Sequence, residues 1–265
     1  MKVLYMHGLQ SPWLACLRAV APLLCSSDSK GQYLRRHFPG TVAPDMHMSA
    51  HNPFASHSPA RWCLPYLAIG CAAAAVAASR GAVAAAVAVL ACVATGLVPL
   101  VRWRVRASLR ACAAIQSAAI GHHKPDVVVA SSFGGAVALA CMRQDLWAGP
   151  TVLLAPAVAI KGWCGALVGP MACAGAAHRC PAAAAGQCVV VQGGADEVVD
   201  ATAVEALCGR AGIRFVLIPE ADHQLYGALA RSGGLKAVVT NVATRGVADA
   251  LLGVEGVTFE LRPPD

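Results

Sequence analysis

With 265 residues, 57% hydrophobic and only 13% charged, the chain has enough apolar material for one sizeable core, which favours a single domain with an insertion over two independent domains. The formal net charge of +7 comes mainly from arginine, and Arg102, Arg104, Arg106 and Arg110 adjoin the most apolar stretch, which argues for a membrane flank and against nucleic acid as a partner. Twelve cysteines are scattered without any Cys-x-x-Cys pair, so they read as reduced, mostly buried thiols of a reducing compartment rather than a disulfide or metal framework.

Residues 2–6 form a short apolar run that stops at His7 and Gly8, a pattern that suits a strand and turn better than a signal peptide. Residues 11–28 read as an insertion carrying a short apolar helix, Trp13 to Leu24, followed by a stretch from Ser29 to Phe38. A second strand is expected at 41–45. His47, His51 and His57 follow it with Asp45 nearby, but their spacing matches no defined metal pattern, so no metal is expected.

Residues 62–101 are a second insertion. From 82 to 101 nine branched aliphatics (Val83, Val87, Val89, Leu90, Val93, Leu97, Val98, Leu100 and Val101) lie among alanines with no charge, and residues 62–79 supply a weaker second leg that turns back at Arg80-Gly81. The expectation is an apolar helical hairpin, entering lipid or closing over the sheet as a lid, between the two parts of one discontinuous domain, 1–61 and 102–265. The nine aliphatics favour insertion by roughly 3 to 5 kcal/mol, before Thr95, Gly96 and Pro99 subtract from it. A single crossing would split the domain. If lipid is entered, both flanks stay on one side, with the catalytic domain facing the cytosol; otherwise the protein is cytoplasmic.

The remaining chain alternates. Strands are expected at 126–131, 151–155, 188–192 and 214–218, and helices at 104–120, 134–146, 198–210 and 235–251. This is the order of an α/β protein with a mostly parallel sheet covered by helices on both faces.

The run from Val127 through Ser131, Ser132, Phe133, Gly134 and Gly135 has the sequence of a strand, a sharp turn and a helix, with serine at the turn. Such a turn needs small residues two before and two after the serine, because strand and helix nearly touch. Ala130 and Gly134 satisfy this around Ser132, whereas Val129 and Phe133 around Ser131 do not, so Ser132 is the candidate nucleophile. The competing reading is that both serines only cap the next helix.

A serine hydroxyl needs a base. Among nine histidines, His223 follows the last predicted parallel strand and is the candidate. Asp196, the first carboxylate after the strand Val189 to Gly194, is the candidate that orients it. Glu197 and Asp200 are better placed to start the next helix, and Asp222 adjoins His223 too closely to orient it. The backbone N–H groups of Phe133 and of Leu9, or of Gln10 in its place, are the candidate donors to an oxyanion, because Gly8 lets the chain turn sharply after the first strand.

Met-His-Gly-Leu, Ser-Ser-Phe-Gly-Gly, Leu-Leu-Ala-Pro, Gly-Ala-Asp-Glu-Val-Val and Ala-Asp-His-Gln-Leu together resemble the small esterase-like α/β-hydrolases. The likeness covers residues 1–10, about 29–48 and 124–227. Ala130 stands where the family usually has glycine, and Gln192 where a histidine is often found. The resemblance implies a serine hydrolase of the α/β-hydrolase type acting on a small-molecule carboxylic ester or thioester through an acyl-enzyme on Ser132, with no cofactor. Two other readings fit the same residues: an acyltransferase with the same triad, and a non-catalytic membrane-associated protein that keeps the hydrolase sheet as a scaffold.

Overall fold

The structure, a computed structural model, describes residues 1–7, 29–46, 60–162, 182–230 and 232–262. Among the described residues six strands form one sheet in the order in which they occur in the chain: β1 (Val3–Met6), β2 (Val127–Ser131), β3 (Thr151–Leu154), β4 (Cys188–Gly193), β5 (Arg214–Ile218) and β6 (Glu260–Arg262). The first five are mutually parallel and β6 runs antiparallel to β5. The helices are α1 (Ser29–His37), α2 (Ala60–Ser79), α3 (Val83–His123), α4 (Phe133–Arg143), α5 (Ala182–Ala185), α6 (Ala201–Ala211), α7 (Tyr226–Leu229) and α8 (Gly234–Thr244). This is an α/β fold, as the alternation of β-branched runs and helix-length stretches predicts.

The valine-rich strands are buried on both faces, which is why they are continuously apolar rather than alternating. Leu4, Met6, Val128, Ala130, Leu153 and Val190 point into one core, shared with Val105, Leu109 and Cys112 of α3 and with α4. Val3, Tyr5, Val127, Val129, Val152 and Val191 point into the other, closed by Leu34 and Phe38 at α1 and by Val238, Val239 and Val242 of α8. With one face of the sheet packed by each helix layer, the carboxyl ends of β2, β4 and β5 are left to carry side chains that are not core.

Three sequence expectations change. Residues 41–45 do not form a strand: Val42 makes a single parallel bridge to Leu4, with Tyr5 N donating to Val42 O and Val42 N to Val3 O at 2.8 and 2.9 Å. The next inward donor would be residue 44, and Pro44 has no N–H to give. The helices foreseen at 82–101 and 104–120 are one helix of 41 residues that contains Pro99, so no structural break falls at 101. The edge strand β6 was not foreseen, being only three residues long. The helix expected at Trp13 to Leu24 lies outside the described residues.

Of the described cysteines, Cys112, Cys141, Cys188 and Cys208 are buried, while Cys71 and Cys92 are exposed on α2 and α3. Burial pushes the thiols of Cys112, Cys141 and Cys208 up to about 12. They therefore stay protonated at neutral pH and pack as small apolar groups.

Candidate active site

β2 ends in Ser131, and the chain turns at Ser132 into α4 with φ 53° and ψ −120°, a conformation an L-residue adopts only under strain. The turn is pinned by Ser132 N donating to Leu154 O, and by Gly135 N and Ala157 N both donating to Ser132 O, each at 2.9 Å. Small residues are required here for a visible reason. A Cβ on Gly134 would run into the backbone carbonyls of Met6 and His7, and one on Gly135 would lie 2.7 Å from Cβ of Pro156. Ala130 is fully buried under the same turn.

Neither serine caps α4. Ser132 makes no side-chain bond to the helix N-terminus, and the Ser131 hydroxyl accepts a 2.7 Å bond from the Nζ of Lys30, on α1. Lys30 is itself buried. The residue before the turn is thus fastened to the opposite helix layer, leaving the Ser132 hydroxyl free to point out of the carboxyl edge of the sheet.

His223 lies on the loop after β5, with its Nε2 3.0 Å from Ser132 Oγ and its Nδ1 2.8 Å from Asp196 Oδ2. Asp196 is on the turn after β4 and is 1% exposed. The two loops are joined directly: Ala195 N donates to Ala221 O at 3.1 Å and Gly194 N to Ile218 O at 2.9 Å. Gly193 makes this possible, since a Cβ there would overlap Ala221 O and come within 2.7 Å of Asp222 O.

The carboxylate of Asp196 is saturated with donors. Oδ1 accepts from Val198 N and Val199 N, both at 2.8 Å, and Oδ2 accepts from the Gln192 side-chain amide at 2.8 Å as well as facing His223. Burial alone would push this carboxyl up. The bonds from His223, Val199 and Val198 and the attraction of the His223 ring outweigh that burial and hold it below the ordinary aspartate value. An ionised Asp196 can only accept, so the proton on His223 belongs on Nδ1, and the Nε2 lone pair faces Ser132 Oγ–H. A hydroxyl, an imidazole and a carboxylate so ordered can move a proton off Ser132 as its oxygen attacks an electrophile.

The neighbouring carboxylates have other duties. Asp200 caps α6 by accepting from Thr202 N at 3.0 Å and Ala203 N at 3.4 Å. Asp222 accepts from Gln224 N and Leu225 N at 3.0 Å, which shapes the loop carrying His223. Glu197 is exposed.

Phe133 is the first residue of α4, so its N–H is among the donors that a helix start leaves without an intrahelical acceptor. Leu9 and Gln10, the alternatives for the other expected donor, lie outside the described residues, as do His47, His51 and His57. Among the described residues, no group of histidine, cysteine, aspartate and glutamate is arranged to hold a metal ion.

Sequence reasoning missed Gln192 and Lys30 as parts of this site. The available signal for Gln192 is its place four residues before Asp196, next to the end of β4 and within reach of the turn that follows. Nothing in the sequence around Lys30 indicates that α1 reaches β2.

Comparison with family models, with curated proteins and with solved structures found no match for this chain.

Proposed function

We propose that this protein is a serine hydrolase of the α/β-hydrolase type that cleaves a small carboxylic ester or thioester. The observation that carries the reading is His223, which lies 3.0 Å from Ser132 Oγ through one ring nitrogen and 2.8 Å from the buried Asp196 through the other. The chain order serine, aspartate, histidine, with a strained strand-to-helix serine, supports the same reading.

In this scheme Ser132 Oγ attacks the carbonyl carbon while His223 Nε2 takes the hydroxyl proton. The imidazolium that forms is stabilised by Asp196, whose carboxylate is already ionised. The negative charge on the carbonyl oxygen is directed to the Phe133 N–H, with Leu9 N–H as the proposed second donor. Collapse of the tetrahedral intermediate breaks the bond to the alcohol or thiol, which leaves with the proton from His223. Water then attacks the acyl-enzyme through the same base and returns Ser132 to its starting state. The scheme needs no cofactor.

Hydrolysis of a panel of nitrophenyl esters of graded acyl length tests the proposal. The wild-type protein should turn over at least one member, and Ser132→Ala should reduce that turnover by roughly 10⁴-fold or more. Turnover unaffected by Ser132→Ala would refute it.

A further inference from the structure

We infer that the α2–α3 hairpin seats the protein on an anionic lipid bilayer, with Trp103, Arg106 and Arg110 at the level of the headgroups. The inference is independent of the catalytic reading and rests on how the hairpin is built.

α3 has two unlike halves. From Val105 onward its buried residues, Val105, Leu109, Cys112, Ala113 and Ile120, pack against the sheet and α4. Before that point the helix lies along α2, and the buried positions described on the two legs are small: Gly70 and Ala74 on α2 and Ala86 on α3. Among the described side chains of the two legs, no branched aliphatic is buried in the seam, and four face outward: Ile69 is 71% exposed, Val76 52%, Val83 66% and Val87 61%. A hairpin stable in water buries its branched residues in the seam and turns polar groups out. Small residues in the seam with aliphatics outside is the arrangement of helices that associate within lipid.

The charge pattern selects the kind of surface. No acidic residue occurs from Met46 to Pro125, while Arg61, Arg80, Arg102, Arg104, Arg106 and Arg110 all fall within that stretch. Of these, Arg80, Arg106 and Arg110 are exposed, and exposed arginines in a stretch without acidic residues repel a second copy of themselves and attract an anionic partner. Nucleic acid would satisfy the arginines but not the outward aliphatics; a bilayer satisfies both. Trp103 is 52% exposed, and the Arg104 guanidinium stands 4.4 Å from its ring centroid. Trp103, Arg106 and Arg110 are all exposed at helical spacing on one side of α3, where the apolar half gives way to the sheet-packed half. An amphipathic ring flanked by arginine at such a boundary suits the membrane–water interface.

Topology sets the manner of seating. β1 precedes the hairpin and β2 follows it, and the two are paired in parallel within one sheet, so the chain must leave and return on the same side. Among the described residues no helix is by itself long and apolar enough to cross a membrane. The 20-residue α2 is about 30 Å long and serves as one leg of a hairpin that dips in and comes back.

Flotation of the full chain on density gradients, with vesicles of phosphatidylcholine alone or mixed with phosphatidylserine, tests this. The wild-type protein should float with the vesicles, and more completely with the anionic ones. A variant with Ile69→Glu, Val76→Glu, Val83→Glu and Val87→Glu should stay at the bottom of the gradient with an unchanged circular dichroism spectrum. Because that variant could fail to fold, a second one, Trp103→Ala with Arg106→Gln and Arg110→Gln, should lose the preference for phosphatidylserine. Failure of the wild type to float with either vesicle overturns the inference. So does a soluble wild-type dimer that the glutamate variant converts to monomer, which would make the hairpin a self-association surface. A triple variant with undiminished anionic preference would overturn the headgroup assignment.

Discussion

The side-chain amide of Gln192 donates to Oδ2 of Asp196 at 2.8 Å, the same carboxylate oxygen that faces Nδ1 of His223. Both residues are buried. Oδ2 therefore holds its direction toward the imidazole through a neighbour on the same strand end, while Oδ1 is fixed by two backbone N–H groups. Gln192 acts at one remove from Ser132 and His223: it fixes the carboxylate that faces the imidazole.

Replacing Gln192 by leucine removes this donor at similar volume. A hydrogen bond to a charged group contributes about 1.5–3 kcal/mol, so Gln192→Leu should lower kcat roughly 10- to 100-fold with KM little changed, and should raise the apparent pKa of Asp196. Steady-state kinetics reads the first effect, and the pH at which melting temperature falls reads the second. An unchanged kcat with an unshifted stability profile would show that the backbone donors suffice.

Asp196→Asn offers a test with two readouts. An amide at this position can donate to Nδ1, which moves the ring proton to Nε2 and aims it at Ser132, so activity should fall on the order of 10⁴-fold. The pH dependence of stability follows from the depressed carboxyl. A carboxylate whose folded pKa lies below its unfolded value adds stability above the unfolded value, and loses it as pH falls through the folded one. The difference in melting temperature between wild type and Asp196→Asn should thus be fullest near neutrality and shrink below about pH 4. A difference that stays constant with pH would contradict the ionised assignment.

The backbone at Ser132, with φ 53° and ψ −120°, gives a prediction that needs no substrate. Ser132→Gly and Ser132→Ala both remove the hydroxyl, but only glycine relieves the strain. The glycine variant should be more stable than the alanine variant by about 1–3 kcal/mol, a rise in melting temperature of roughly 2–10 °C. Calorimetry on the pair isolates the backbone term, and equal melting temperatures would show the turn to be unstrained.

Ser132 was legible because its requirement is local: small neighbours two places to either side, which the contacts of Gly134 with Met6 and His7 explain. That Asp196 and His223 meet Ser132 was legible from chain order, each being the first residue of its type after a β-branched run. What escaped depends on tertiary contact. Lys30 reaches Ser131 across 101 residues, and Gly193 matters only because the loop after β5 passes over it. At 41–45 the β-propensity is real, but Pro44 lacks the donor a second ladder bond would need. The continuity of α3 escaped for a related reason: Pro99 and the arginines after it look like an end, but helical residues on both sides carry the helix through.

Reaction of the protein with a fluorophosphonate, followed by intact-mass and peptide mass spectrometry, addresses the nucleophile most directly. A serine-nucleophile mechanism at Ser132 predicts one covalent phosphonyl adduct on the peptide containing Ser132, absent from Ser132→Ala and much slowed in His223→Ala. No adduct on the folded wild-type protein, or an adduct that persists in Ser132→Ala, would contradict it.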